Sequence, residues 1–513
     1  MVDKKPIRRA LISVYNKGGL DGLLEKLHKE GVAFVSTGGT QAFIHSLGFP
    51  CQAVEELTGY PSILGGRVKT LHPKVFGGIL SRRSEQEDGE QLHRYDIPEF
   101  DLVIIDLYPF EQTVAENAPM EEIIEKIDIG GISLIRAAAK NFADVVVIAS
   151  KGQYETLGEL LERNGAFSTL AERRMLAQKA FAVTSGYDTA IYHYFNEGDA
   201  QVGDGGHFRM AVNSPLPLRY GENPHQQACF YGNLAGVFSQ IQGKEISYNN
   251  MLDIEAALGL IGDFRETTFA VIKHNNACGI ASRVTVEEAW TDALACDPVS
   301  AFGGILVTNT EVTAKAAESI HTIFFEIILA PAYTEDALAI LKQKKNRIIL
   351  VYNPQGELPR KQYRSLLNGA LVQDRDDSVQ ASADLQILTV HKPVAQEIED
   401  MLFANKVVKH SKSNAITLVK NKQLCASGVG QTSRVDALRQ AIEKAKTFGF
   451  DLQGAVMASD AFFPFPDCVE IAAEAGITAI IQPGGSINDA LSVSSCDKHG
   501  LAMAKTGVRH FKH

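Results

Sequence analysis

Through the first third of the chain, short apolar runs alternate with stretches of helical spacing. Residues 11–15, 32–36, 102–108 and 145–149 read as strands buried on both faces. This βα rhythm predicts a parallel, doubly wound sheet. A long helical pattern over 169–194 follows, and then NEGDAQVGDGGHF (196–208), rich in Gly and Asp and without apolar period. From 216 onward the strand signals fall at 269–273, 305–308 and 348–352. After a polar stretch, QDRDDSVQASAD (373–384), they resume at 415–419, 455–459 and 478–482. The pattern divides the chain into 1–197, 198–372 and 373–513, all α/β, with no identity-level repeat between the last two.

Composition agrees with this division. The 513 residues exceed what one hydrophobic core usually supports and suggest roughly three units. A hydrophobic content of 45% with 22% charged residues supplies enough apolar surface to fill those cores. The formal net charge of -11 disfavours polyanionic partners, so neither nucleic acid nor an acidic membrane is expected. The seven cysteines are scattered and never spaced as CxxC, which points to reduced thiols and a cytoplasmic protein. The basic start, MVDKKPIRRA, runs into a short strand, and no apolar run is long enough for an export signal or a membrane span.

Two groups of polar residues break the apolar pattern. In the first, Thr37-Gly38-Gly39-Thr40 lies between a strand and a helix, where backbone N–H groups can meet a phosphate. RVKTLHPK (67–74) gathers Arg67, Lys69, His72 and Lys74, and reads either as an anion site or as a solvated basic loop. Tyr108 is expected to end a strand at its carboxyl edge, where open α/β sheets bind ligands. Asp128-Ile129-Gly130-Gly131 opens a helix carrying Arg136 and Lys140. A helix cap for Asp128, a core position for Tyr108 and carbonyl pairing for Lys140 are the structural alternatives.

In the second group, Lys273-His274-Asn275-Asn276 ends an apolar strand with a cation, an imidazole and two amides. Histidine is the usual general base near neutral pH, and a neighbouring cation favours its unprotonated form. PLRYGENPHQ (217–226) resembles a rigid polar loop more than a connector. HSKSN (410–414), GQTSR (430–434), SDAFFPFPD (459–467) and RHF (509–511) add amides, hydroxyls, arginines and the aromatic pair Phe462 and Phe463.

GGRVKTLHP, LYPF, DIGG with RAAAKN, LRYGENPHQ, IKHNN, SDAFFPF and the terminal RHF together resemble the bifunctional phosphoribosylaminoimidazolecarboxamide formyltransferase and IMP cyclohydrolase family. The resemblance runs from residue 7 to the end. It implies a methylglyoxal-synthase-like domain followed by two cytidine-deaminase-like lobes without the deaminase zinc, in agreement with the absent HxE and CxxC pattern. It further implies 10-formyltetrahydrofolate as co-substrate, no metal in the chemistry, small-molecule partners (aminoimidazole carboxamide ribonucleotide, folate and IMP), and a homodimer. By resemblance Lys69, Tyr108, Asp128 and Lys140 belong to a cyclohydrolase site, with Asn16, Lys17, Thr37, Gly38, Gly39, Thr40, Arg67, Thr70 and Gly130 around the nucleotide. Lys273 and His274 match the reactive pair of the transformylase. Arg219, Tyr220, Gly303, Glu326, Asn414, Arg434, Phe462, Asp467 and Arg509 match nucleotide or folate contacts.

The chain departs from the family where SVYNKGG replaces the commoner SVSDKTG and where Asp106 replaces the commoner Asn of NLYPF. Asp106 adds a negative charge beside the nucleotide, so it must point away or be compensated by a neighbouring cation. A non-catalytic nucleotide sensor and a zinc nucleoside deaminase are the alternatives. The presence of Lys69, Tyr108, Lys273 and His274 weighs against the first, and the missing zinc ligands against the second.

Overall fold

The computed structural model describes residues 4–196, 207–212, 215–356 and 358–513. The chain forms two compact units, Met1–Asn213 and Ser214–His513. The boundary expected at 197/198 lies outside the described residues.

The first unit is built on a five-stranded, all-parallel sheet ordered Cys51–Ala53, Ala33–Ser36, Arg9–Ser13, Leu102–Ile105, Val146–Ile148. Leu11, Ile12, Val103 and Ile104 are fully buried. Helices on both faces require such uninterrupted apolar runs, which is why these strands stand out in the sequence. From the central strand Arg9–Ser13 the chain moves outward on one side and then returns to Leu102–Ile105 on the other. The connection order therefore reverses between these two strands, and their carboxyl ends frame the crevice where ligands meet open α/β sheets.

The strand expected over 102–108 stops at Ile105. Asp106 leaves the ladder to accept backbone N–H groups from Tyr15 and Asn16, and Pro109 has no N–H to continue it. Tyr108 thus stands beyond the strand, in the crevice. The edge strand Cys51–Ala53 has three residues, too few for a period to register. The long helix is Leu170–Asn196.

The second unit contains one twelve-stranded sheet. Its order is Phe238–Gln242, Ile348–Tyr352, Ile327–Ala330, Ile305–Thr308, Thr268–Lys273, Asn276–Ser282, then Gln423–Gly428, Ile416–Lys420, Val456–Ser459, Ala479–Gln482, Ala502–Lys505, Gln386–Ile387. The order is a palindrome. Each half has a central antiparallel hairpin, three further strands stepping outward and an antiparallel strand at the outer edge. The two hairpins meet at Ala281 and Gln423. The halves are thus a structural duplication that leaves no visible identity in sequence, because each position needs only an apolar residue of suitable size. The lobe division expected at 372/373 falls within the strand Gly369–Asp374, which pairs with Lys361–Leu366 in a separate hairpin.

Candidate functional site

In the first unit the crevice between Arg9–Ser13 and Leu102–Ile105 collects most of the amino-terminal residues. The turn after Ala33–Ser36 needs Gly38, whose φ of 38° is left-handed. The helix Gly38–Ser46 then begins with no side chain capping its free N–H groups. Thr37 is occupied instead by the Ser13 hydroxyl at 3.0 Å, and the Thr40 hydroxyl donates to the Val14 carbonyl at 3.0 Å. Lys17 Nζ donates to the carbonyls of Val14 and Tyr15, about one atomic contact from Gly39, and Asn16 Oδ1 accepts the Gly18 N–H at 2.9 Å. Open helix amides beside a cation form a phosphate cradle. Lys151, which the sequence did not single out, packs against Gly18 and adds a second cation.

Asp106 is met by two donors, the N–H groups of Tyr15 and Asn16, the latter at 2.9 Å. Burial pushes its carboxyl above the usual range, while these bonds and the Lys17 charge act in the opposite sense. An Asn here could offer only one oxygen to the two N–H groups. Replacing Asp106 by Ala should free both, at about 1–2 kcal/mol together, and raise KM for the nucleotide about tenfold with a smaller change in kcat. An unchanged KM would show that the loop does not depend on this carboxylate.

The other end of the crevice brings Lys69, Tyr108 and Asp128 together. Asp128 Oδ1 accepts the Gly131 N–H at 2.7 Å, and the Asp128 N–H donates to the Tyr187 hydroxyl, which in turn donates to the Lys126 carbonyl at 2.6 Å. Tyr187, on the long helix, therefore fixes the start of helix Gly130–Lys140. Burial pushes the Asp128 carboxyl up, and Lys69 faces it and draws it back. Tyr108 lies edge-on to Tyr15 with centroids 5.6 Å apart; burial, then the Asp128 charge, raise its hydroxyl above the ordinary value. Thr70 reaches the helix start because Gly130 has no Cβ; one would stand 3.0 Å from the Thr70 hydroxyl. Arg67 is paired with Glu125 on the exposed rim. Lys140 ends the same helix, on the order of 15 Å along its axis from Gly130. The Tyr154 hydroxyl is buried without a hydrogen-bond partner and faces the Asp106 charge.

A carboxyl raised by the fold contributes stability that is complete below its ordinary value of 3.8 and lost as pH rises through the raised value. Ionised Asp128 therefore costs stability at neutral pH. Asp128→Asn, which keeps the Oδ1 acceptor, should raise the melting temperature at pH 7 and slow the chemistry of this site. A lower melting temperature would contradict that sign.

In the second unit, Lys273 and His274 sit at the tip of the first central hairpin. His274 and Asn275 have φ of 50° and 65°, the paired left-handed conformation of a tight two-residue hairpin turn. Lys273 is half-buried and its Nζ donates to the Phe302 carbonyl at 2.9 Å, whereas His274 is exposed. Gly303, at φ 70°, approaches the same ammonium; a Cβ there would lie 3.3 Å from Nζ. Phe302 and Phe324 expose their rings beside it, centroids 5.1 Å apart. Glu326 accepts from Asn250 at 3.1 Å and pairs with Lys244 at 3.4 Å. Arg219 stacks on Tyr220, and their loop is tied to helix Tyr248–Gly262 by Asn249, which donates to the Glu222 carbonyl.

The other half of the sheet supplies the opposite wall. Asn276 Oδ1 accepts the Lys412 N–H at 2.9 Å, which brings the 410–414 segment to the hairpin tip. Arg434 donates to Asn414 Oδ1 at 2.9 Å, to Asp460 at 2.8 Å and to the Phe462 carbonyl. It is thus a buried clasp of that wall. Phe463 is core, fully buried, while Phe462 remains half-exposed. Asp467 begins helix Asp467–Glu474, and Arg509 is exposed over the Phe511 ring. Asp460, which lies within SDAFFPFPD but has no role assigned from the sequence, also receives the His510 N–H on its carbonyl. Among the described residues no cluster of three or more His, Cys, Asp or Glu is arranged to hold a metal ion, and no helix is long and apolar enough to cross a membrane.

A family model described as the AICARFT/IMPCHase bienzyme matches residues 138–444, and one described as an MGS-like domain matches 19–133. The bifunctional purine biosynthesis protein PurH of Bacteroides thetaiotaomicron is 64% identical over 513 residues, 100% of both chains. Proteins of the same description from Acetivibrio thermocellus and Aquifex aeolicus are each 46% identical. Their alignments cover 99% and 98% of this chain and 100% of theirs.

Proposed function

The chain belongs to the AICARFT/IMPCHase bienzyme family, and on that footing we propose how its two units divide the work of a bifunctional purine biosynthesis enzyme that is both formyltransferase and IMP cyclohydrolase. The second unit transfers a formyl group to aminoimidazole carboxamide ribonucleotide, and the first closes the ring to inosinate. The observation that carries this division is that each unit holds its own convergent site, one around Lys69, Tyr108 and Asp128, the other at the Lys273–His274 hairpin tip.

For formyl transfer the donor is 10-formyltetrahydrofolate, whose flat pterin suits the exposed Phe302 and Phe324 rings and the half-exposed Phe462. The amine of the imidazole is a weak nucleophile because its lone pair is delocalised into the ring. As that nitrogen bonds to the formyl carbon, His274 takes its proton. The Lys273 ammonium, held by the Phe302 carbonyl, stabilises the developing oxyanion and supplies the proton that the folate nitrogen takes as its bond to carbon breaks.

Ring closure is intramolecular: the carboxamide nitrogen attacks the formyl carbon and water leaves, so positioning carries much of the rate. The phosphate rests on the amides of Gly38–Thr40 with Lys17. Lys69, Tyr108 and the N–H groups at Gly130 polarise the formyl oxygen, and Asp128 moves the proton. Formyl transfer to a poor amine reverses easily, and formation of an aromatic purine draws it forward. A homodimer in the cytoplasm completes the proposal. The bare leucines of the Lys361–Asp374 hairpin, Leu366, Leu367 and Leu371, offer apolar surface for a second copy.

Purified protein given aminoimidazole carboxamide ribonucleotide and 10-formyltetrahydrofolate should release inosinate, and neither substrate alone should. No inosinate with both present would end the reading.

A further inference from the structure

We infer that Asp253 is a positioning residue for formyl transfer, setting the His274 imidazole through the backbone of the hairpin turn. This rests on His274 being the base proposed above.

Asp253 lies on helix Tyr248–Gly262, whose start is fixed by a capping box between Ser247 and Asn250. Its Oδ1 accepts the Asn275 N–H at 2.7 Å. With the Asn275 amide turned to suit its neighbours, the side-chain nitrogen donates to the same carboxylate at 2.9 Å. Two consecutive non-glycine residues in the left-handed region store strain, and such a turn persists only where its surroundings over-determine it. The Asn276 side chain closes the other side, donating to the His274 carbonyl at 2.8 Å while its oxygen takes the Lys412 N–H. Burial pushes this carboxyl up; of the charged or titratable groups facing it, Lys273 and, when protonated, His274 favour its ionised form and Glu326 opposes it.

The duplicated half of the sheet supplies the independent observation. Its central hairpin turns at Asn421–Lys422, with φ of 54° and 53°. Asp400, the sixth residue of helix Ala395–Lys409 as Asp253 is the sixth of Tyr248–Gly262, accepts the N–H groups of Asn421 and Lys422 at 2.8 and 2.7 Å. The same helix position therefore clamps the same turn in both halves, although in the second half Asn421 stands where His274 stands in the first. The halves differ in one respect. Asp400 grips both turn residues, whereas Asp253 grips Asn275 and leaves the N–H of His274 itself outside the clamp. The device belongs to the hairpin, and in the first half it carries a reacting side chain.

The test uses the full chain and both activities, with ring closure on synthetic formylated nucleotide reporting on the integrity of the protein. Asp253→Ala should lower kcat for formyl transfer about tenfold or more, with KM for both substrates within about threefold and ring closure unchanged. Asp253→Asn keeps an acceptor oxygen for the Asn275 N–H and should restore kcat to within about threefold of the parent. A near-normal kcat in Asp253→Ala, a loss carried by KM, or an Asn variant as slow as the Ala variant would each overturn the inference. His274→Ala separates the layers. If that variant is slow while Asp253→Ala is not, the positioning role alone fails; if it is near normal, the base assignment itself fails.

Discussion

Replacing His274 by alanine should lower formyl transfer about a hundredfold or more and leave ring closure at its parent rate. The expectation follows from where the imidazole sits. His274 is exposed at the tip of a rigid hairpin, with Lys273 half-buried behind it and Phe302, Gly303 and Phe324 forming one wall. Removing a side chain that packs against no core leaves the fold intact, so the loss falls on turnover. The proposed ring-closure site lies in the other compact unit, so ring closure provides the control within the same preparation. A rate within a few-fold of the parent would mean that the amine loses its proton to another group.

Lys69→Ala has the opposite signature. Ring closure on formylated nucleotide should fall about a hundredfold, while formyl transfer, followed by release of tetrahydrofolate, should be unaffected. Lys69 faces the half-buried Asp128 carboxylate, so the substitution removes two things at once. The developing charge on the formyl oxygen loses a cation, and Asp128 loses a charge that favours its ionised form. Tyr108, raised by burial and by Asp128, cannot substitute as a cation. Unchanged ring-closure kinetics would exclude Lys69 from the site.

The two sites also explain why the alternatives fall away. A nucleotide sensor would need the Gly38–Thr40 cradle and Lys17 but not a half-buried carboxylate opposite a lysine, because ionising Asp128 costs stability that binding alone does not require. The family relationship points the same way.

How much of this was legible beforehand differs by element. The strands Ile305–Thr308 and Ile348–Tyr352 coincide with their apolar runs, because a strand buried on both faces admits little else. The run over 102–108 overreached, since Asp106 and Tyr108 are attached to an apolar strand but serve the crevice beyond it. Asp106 could be recognised as an uncompensated charge. That its partners are the N–H groups of Tyr15 and Asn16 depends on two strands lying side by side.

By itself the sequence determined the α/β class, the apolar cores of the buried strands and the residue types at both sites, since these follow from local apolar period and from short motifs. Only the tertiary structure decided the palindromic twelve-stranded sheet, the Arg434–Asp460 clasp and the grip of Asp253 on the His274 turn. Each of these joins residues far apart in the chain. A lone aspartate within a helical pattern has the same local signature whether it faces water or holds a strained turn, and the difference is made by what long-range packing places against it.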